Sequence, residues 1–213
     1  MDWLVEQEDL FMQMKALGTL RSKEIEKAMA DVPRHLFVPK SLERYAYKDT
    51  PLSIGHDQTI SQPSTVALMT WMLDVEPRNK VLEIGSGSGW QAAIISKLGA
   101  KVWTIERLKE LADFARKNLK KNKIKNVEVI HGDGSQGLKK NAPYDRIIVT
   151  CACPEMIEPL VEQLKEGGKM VIPVGDRYMQ HMLVVTKKKG KIKKKDMGRF
   201  MFVPLIGKYG FKR

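Results

Sequence analysis

The stretch VLEIGSGSGW, residues 81–90, sets a short apolar run and an acidic residue ahead of three alternating glycines, Gly85, Gly87 and Gly89. A strand that ends in glycines and passes straight into a helix offers free backbone N–H groups to a ligand, the usual seat of a nucleotide-like cofactor. Spacing discriminates among such cofactors. The dinucleotide fingerprint GxGxxG, counted from Gly85, asks for a glycine at position 90, which is Trp90 in this chain. The tight turn and the close backbone approach survive, but the spacing is wrong for a pyrophosphate.

S-adenosylmethionine fits better. Its amino-acid end carries an ammonium and a carboxylate, which Glu83 and the Gly85–Ser86–Gly87–Gly89 backbone can serve as acceptor and donors. Glu106 closes the next strand-like run 21 positions after Gly85 (106 − 85) and can accept from both ribose hydroxyls, a device that dinucleotide sites share. Asp133, followed by Gly134 in HGDG, can accept from the adenine amino group. Acids at three successive strand ends are more specific than any one of them, and they favour a methyltransferase over a dehydrogenase.

Around this loop the pattern alternates. KVLEIG, KVWTIE, NVEVIHGDG, DRIIVTCA and KMVIPVG read as strands. WQAAIISKLG, RLKELADFARKNLKKN and PEMIEPLVEQLKEGG read as helices, the second with Leu108, Leu111, Ala115 and Leu119 on one stripe. Apolar strands alternating with helices predict an α/β fold: a doubly wound, mostly parallel, Rossmann-like sheet, with N-terminal helices and a C-terminal β extension. Ligands of such sheets bind beyond the carboxyl ends of the strands. Upstream, LFMQMKALG and KEIEKAMADV read as helices, Ser22 capping the second. VPRHLFVPKSLERYAYKDTPLSIGHDQTISQP reads mostly as loop, and Ser64 is expected to cap a helix over TVALMTWMLD. One methyltransferase domain over 1–213 is expected: a helical and substrate-loop region at 1–76, a cofactor-binding core at 77–175 and C-terminal strands at 176–213.

Composition bounds the rest. The chain has 213 residues, 43 % of them apolar, which suits one domain with a full core. No run approaches the roughly eighteen apolar residues of a membrane span, and MDWLVEQEDLF is too acidic for a signal peptide, so a cytoplasmic location is expected. Cys151 and Cys153 are the only cysteines and read as buried free thiols; with four scattered histidines, no metal is expected. The formal charge of +12 owes much to KKKGKIKKK, residues 187–195, where seven of nine positions are lysine. The run lies between MLVVT and RFMFVPLI, so it reads as a solvated hairpin tip turning at Gly190. With no aromatics among the lysines, nucleic acid is not the expected partner.

Beyond the glycine loop, longer stretches resemble the protein-L-isoaspartate (D-aspartate) O-methyltransferases. They include PRHLFVP (33–39), AYKDTPLSIG (46–55), QTISQP (58–63), VWTIER (102–107), GDG (132–134), APYDRIIVT (142–150), LKEGGKMVIPVG (164–175) and FVPL (202–205). The resemblance implies methyl transfer from S-adenosylmethionine to the carboxylate of L-isoaspartyl, and possibly D-aspartyl, residues in damaged proteins and peptides. The products would be S-adenosylhomocysteine and an ester that collapses to a succinimide. It implies Ser61 as the catalytic hydroxyl, with Thr59, Ile60, Val203, Pro204, Leu205 and Ile206 on the substrate side gripping peptide backbone. A monomer is expected.

The residues agree with that chemistry. A carboxylate is already anionic near neutral pH, so the site needs alignment and water exclusion more than a strong base. Thr59 and Ser61 offer hydroxyls and no charge. The chain departs from the commonest family pattern at Asp57, where glycine is frequent, at Ile206, where threonine is frequent, and at the two cysteines. Two other readings compete. An RNA methyltransferase would use the lysine run for backbone contact, but no NPPY-like tetrad or catalytic cysteine motif is present. A non-catalytic basic interaction protein on a degenerate core is opposed by the intact Glu83, glycine loop, Glu106 and Asp133.

Overall fold

A seven-stranded sheet in the order β5-β4-β3-β6-β7-β8-β9 organises the computed structural model, which describes residues 2–212. Its parallel part is β3 (Lys80–Ile84), β4 (Lys101–Glu106), β5 (Val127–His131), β6 (Tyr144–Val149) and β7 (Leu164–Gly175). β8 (Gln180–Lys188) and β9 (Lys191–Phe200) extend it as an antiparallel hairpin. The chain winds outward from β3 to β5, then returns to place β6 on the other side of β3. That reversal opens a crevice at the carboxyl ends of β3 and β6, where the glycine loop lies.

Alternation along the strands sorts the core. Val81, Val102, Ile148 and Val171 face α3 (Pro63–Leu73) and α4 (Trp90–Lys97), whereas Leu82, Ile84, Ile105 and Ile147 face α6 (Glu158–Gln163). α5 (Lys109–Lys121) buries Leu111, Ala115 and Leu119 along its predicted stripe. α1 (Trp3–Ala16) and α2 (Lys23–Ala30) join α4 and α5 in one apolar cluster. The Ser22 hydroxyl caps α2 by accepting from the Ile25 N–H at 3.2 Å, and Trp90 Nε1 of α4 donates to the Val32 carbonyl at 2.9 Å.

Five local expectations need correction. The stretch read as loop before α3 holds 3-10 turns at Arg34–Phe37 and Lys40–Tyr45 and a small hairpin, β1 (Leu52–Gly55) with β2 (Gln58–Ile60). His56 and Asp57 turn that hairpin at φ +54° and +56°; aspartate tolerates this left-handed region, which explains how it occupies a position where glycine is frequent. Ser64 is not a cap: Pro63 opens α3 with Gln62 before it, and the Ser64 N–H instead donates to Asp49 at 2.8 Å. The helix expected over 154–168 spans only Glu158–Gln163, because Leu164 pairs with Tyr144 and starts β7.

The lysine run is itself largely strand. β8 continues to Lys188 and β9 begins at Lys191, leaving Lys189 and Gly190 as the turn, whose N–H groups donate to the Glu166 carboxylate. Residues 201–206, expected to continue as strand, leave the sheet and run beside the segment after β6. There the Ala152 N–H donates to the Val203 carbonyl and the Leu205 N–H to the Ala152 carbonyl, each at 2.8 Å. Among the described residues, no helix is long and apolar enough to cross a membrane.

Candidate active site

The glycine loop is locked from three sides. Gly85 sits at φ +95°, and a Cβ there would come within 2.5 Å of the Thr150 hydroxyl. That hydroxyl donates to the Ile84 and Gly85 carbonyls at 3.0 and 2.8 Å, tying β3 to the end of β6. Asn118 of α5 donates to the Ser88 carbonyl at 3.0 Å, and the Ser86 hydroxyl meets that of Thr104 at 2.7 Å. Glu106 closes the frame: its oxygens accept from the N–H groups of Gly87 and Leu108, each at 3.0 Å. Each oxygen keeps a second lone pair, so the carboxylate is fixed and still able to accept from a diol.

Around this frame lies a solvent-open cavity walled by Gly85, Gly87, Glu106, Gly134 and Val203–Ile206. Gly134 permits it by close approach, since a Cβ would fall 2.6 Å from Ile84. Cys151 also borders it; both cysteines are buried and unbridged, and burial holds their thiols far above the ordinary range. Gly89 starts α4 and packs on α5, away from the cavity.

Two of the three predicted acids stand elsewhere. Glu83 is 0 % exposed on the α3–α4 side of β3 and does not wall the cavity. Among the described residues neither of its oxygens has a hydrogen-bond partner, and burial pushes its carboxyl up to about 8. Asp133 turns to the C-terminal segment, accepting from the Ser135 N–H and hydroxyl at 2.9 and 2.7 Å and from the Lys208 N–H at 2.8 Å. A cofactor with an ammonium, a carboxylate and a ribose suits what remains. The orphaned buried acid lacks a cation and Glu106 faces the cavity. The N–H groups of Gly85, Gly87 and Gly89, expected as donors, are taken by Ile105, Glu106 and Ser86, which leaves those of Ser86 and Ser88 without a partner among the described residues.

On the other side of the loop, a smaller cavity holds Thr59, Ser61, Ser86, Ser88 and Thr150 among its walls and, among the described residues, no charged side chain. A wide outer groove is also bordered by Thr59, Ser61 and Thr150. Thr59 and Thr150 border all three spaces, and the Ser61 residue stands between the uncharged cavity and the groove. Ile60 is buried, with its side chain in the N-terminal cluster.

Two contributors escape sequence reading. Thr150 is an ordinary threonine at a strand end. Arg34, within PRHLFVP, is 1 % exposed and donates to the carbonyls of Ala46, Thr50 and Ser61 at 2.7, 3.0 and 3.1 Å, with its guanidinium 5.3 Å from the Trp90 ring. Burial lowers its pKa to about 10, which leaves it charged near neutrality. A charged residue amid Leu36, Phe37 and Val38 is the sequence signal that could have found it.

On the groove side, Val203–Ile206 present backbone as well as side chains. Ala152 takes the Val203 carbonyl and the Leu205 N–H, and the Phe211 N–H takes the Leu205 carbonyl. Among the described residues, the Pro204 carbonyl and the Ile206 N–H have no hydrogen-bond partner. Two residues apart, they alternate away from the groups that Ala152 uses.

A family model described as protein-L-isoaspartate(D-aspartate) O-methyltransferase matches residues 5–210. The protein-L-isoaspartate O-methyltransferase of Hyperthermus butylicus is 52 % identical over 207 residues, covering 92 % of this chain and 86 % of its own. That of Methanopyrus kandleri is 52 % identical over 210 residues, covering 96 % and 93 %. A Plasmodium falciparum protein-L-isoaspartate O-methyltransferase, crystallised with S-adenosyl-L-homocysteine, superposes with a TM-score of 0.84 at 29 % identity, covering 94 % of this chain and 98 % of that one.

Proposed function

The chain belongs to the protein-L-isoaspartate(D-aspartate) O-methyltransferase family, and from that premise we propose how its residues divide the work. It is an S-adenosylmethionine-dependent enzyme that esterifies the free carboxylate of L-isoaspartyl residues in damaged proteins and peptides, initiating their repair. Bound S-adenosylmethionine supplies a methyl group on a positively charged sulfur, which departs as a neutral thioether.

On the donor side, Glu106 accepts from the ribose hydroxyls, held for that task by the Gly87 and Leu108 N–H groups. Gly85, Ser86, Gly87 and Gly134 let the backbone approach the donor, and Gly89 starts the helix behind them. Glu83 lies behind the loop, and the ammonium of a bound donor would favour its charged form. Asp133 orders the adenine end indirectly, through Ser135 and the Lys208 backbone, and would meet the adenine amino group only by giving up its long bond from Gln136.

On the acceptor side, Ser61 donates a hydrogen bond that orients the isoaspartyl carboxylate, assisted by Thr59. No proton is removed from the acceptor, so no general base is needed. Too strong a cationic partner would also draw electron density from the attacking oxygen, and the walls of the inner cavity are uncharged. Ile60 carries the hairpin that sets both hydroxyls. The Pro204 carbonyl and the Ile206 N–H pair with the peptide backbone as a strand edge does, while Val203 and Leu205 shape the wall. Backbone recognition suits acceptors of varied sequence.

The observation that carries this reading is that Thr59 and Thr150 border the donor cavity, the inner cavity and the outer groove alike. We read 1–213 as one methyltransferase domain, working as a cytoplasmic monomer without a nucleic-acid partner. Labelled S-adenosylmethionine incubated with paired peptides tests the assignment: the isoaspartyl peptide should take up label and its aspartyl twin should not. Equal labelling of both would defeat it.

A further inference from the structure

Two arginines border the outer groove. Arg177 lies in the turn between β7 and β8, and Arg199 stands on β9 one place before its end. Gly175 pairs with Gln180, and Gln180 with Phe200, so the turn and the strand end lie side by side. Both arginines border the groove that contains Thr59 and Ser61, and among the described residues no acidic side chain does.

The neighbouring acids are occupied. Asp176 accepts from the N–H groups of Tyr178 and Met179 at 2.7 and 2.8 Å, and Asp196 pairs with His181 Nδ1 at 2.6 Å. Among the described residues, neither arginine has a carboxylate within 4.0 Å. Arg177 donates to the Lys212 carbonyl and lies 5.0 Å from the Phe211 ring, contacts that hold its charge in place without neutralising it. The Arg199 guanidinium is exposed and makes no hydrogen bond among the described residues.

We propose that Arg177 and Arg199 select acceptor segments with acidic side chains flanking the isoaspartyl residue. The inference rests on the reading of the groove as the acceptor site. It adds a specificity that backbone pairing alone would not supply, and confines positive charge to the rim, away from the reacting carboxylate. Both arginines are solvated, so the preference is modest and salt-sensitive and falls on capture of the acceptor, in KM more than kcat.

Three isoaspartyl peptides of equal length, with Glu, Gln or Lys at the flanking positions, test it. At low salt, kcat/KM should rank Glu above Gln above Lys, spanning about tenfold, and the span should shrink to about twofold near 0.5 M salt. The paired substitution Arg177→Gln with Arg199→Gln should flatten the ranking while S-adenosylhomocysteine affinity is kept. Arg199→Gln alone, which removes no hydrogen bond, should give part of the effect and covers any disturbance of the C-terminal segment by the Arg177 change. Equal kcat/KM for all three peptides, or a span in Arg199→Gln as wide as in the unsubstituted protein, overturns the proposal. The Gln peptide reports methyl transfer itself: if it takes up no label, the acceptor-site reading fails, and this proposal with it.

Discussion

Replacing Arg34 with methionine removes a guanidinium that gathers three separate turns of the N-terminal region while leaving comparable apolar bulk behind. Its shortest bonds reach the carbonyls of Ala46, Thr50 and Ser61. A hydrogen bond from a charged donor contributes about 1.5–3 kcal/mol, so three sum to roughly 4.5–9 kcal/mol before compensation. Methionine has no desolvation cost, and water entering the loosened turns recovers part of the loss, giving a net destabilisation of about 3–5 kcal/mol. For a chain of this size each kcal/mol lowers Tm by about 2–4 °C, so the midpoint should fall by roughly 10 °C. Because Ser61 loses the anchor on its own carbonyl, turnover measured well below the new midpoint should also drop. Arg34→Lys should rescue only part, since one ammonium lacks the fork that spans these acceptors. Thermal unfolding beside a labelled-methyl assay reads both effects. A midpoint within about 2 °C of the unsubstituted protein, with full turnover, would refute the reasoning.

The other predictions concern the reacting groups. Ser61→Ala should lower kcat by about 10–100-fold while calorimetry finds S-adenosylhomocysteine affinity unchanged; full activity would remove Ser61 from the mechanism. Gly85→Ala drives a methyl group against the Thr150 hydroxyl at 2.5 Å and should weaken S-adenosylhomocysteine binding at least tenfold, and unaltered affinity would show that the loop does not seat the donor. Glu83 makes stability depend on pH in a defined direction. Its folded pKa of about 8 exceeds the ordinary 4.5, so the native state holds the extra proton between those values and the Glu83 contribution to stability declines as pH rises through them. Urea unfolding at pH 5 and pH 8 should show that decline, and Glu83→Gln should flatten it; identical pH slopes would place Glu83 in a better-solvated setting.

Much of the fold is legible because its strands are short apolar runs between helices with clear stripes. Leu111, Ala115 and Leu119 are spaced for one helix face, and that face is buried. Glu106 is legible for a similar reason: an acid at a strand end, a fixed distance after a glycine loop, stands beside that loop, and it walls the same cavity. Glu83 and Asp133 share the signature but not the placement, since strand-end position does not reveal which side of the sheet a side chain takes. Thr150 matters through what packs against it, and its sequence carries no mark of that. Arg34 serves carbonyls 12, 16 and 27 residues away, a relation no local pattern encodes.

The lysine run turns at Gly190 as expected, and only the extent of the turn differs from expectation. Consecutive lysines suggest a solvated turn, yet β9 is an edge strand, and charged edges deter pairing with other chains. The Lys187 ammonium even serves the interior, donating to the Val161 and Leu164 carbonyls at 3.2 and 3.0 Å where α6 ends. Similarly, Gly167 and Gly168 suggest a helix stop, but pairing of Leu164 with Tyr144 ends α6 earlier.

The central claim is geometric: Ser61 and the glycine loop hold acceptor and donor on opposite sides of Thr59 and Thr150. A crystal structure with S-adenosylhomocysteine and an isoaspartyl peptide tests it most directly. The account predicts the ribose on Glu106, the isoaspartyl carboxylate within hydrogen-bonding distance of the Ser61 hydroxyl, and the peptide backbone beside Pro204 and Ile206. A carboxylate seated away from Ser61, or a ribose away from Glu106, would contradict it.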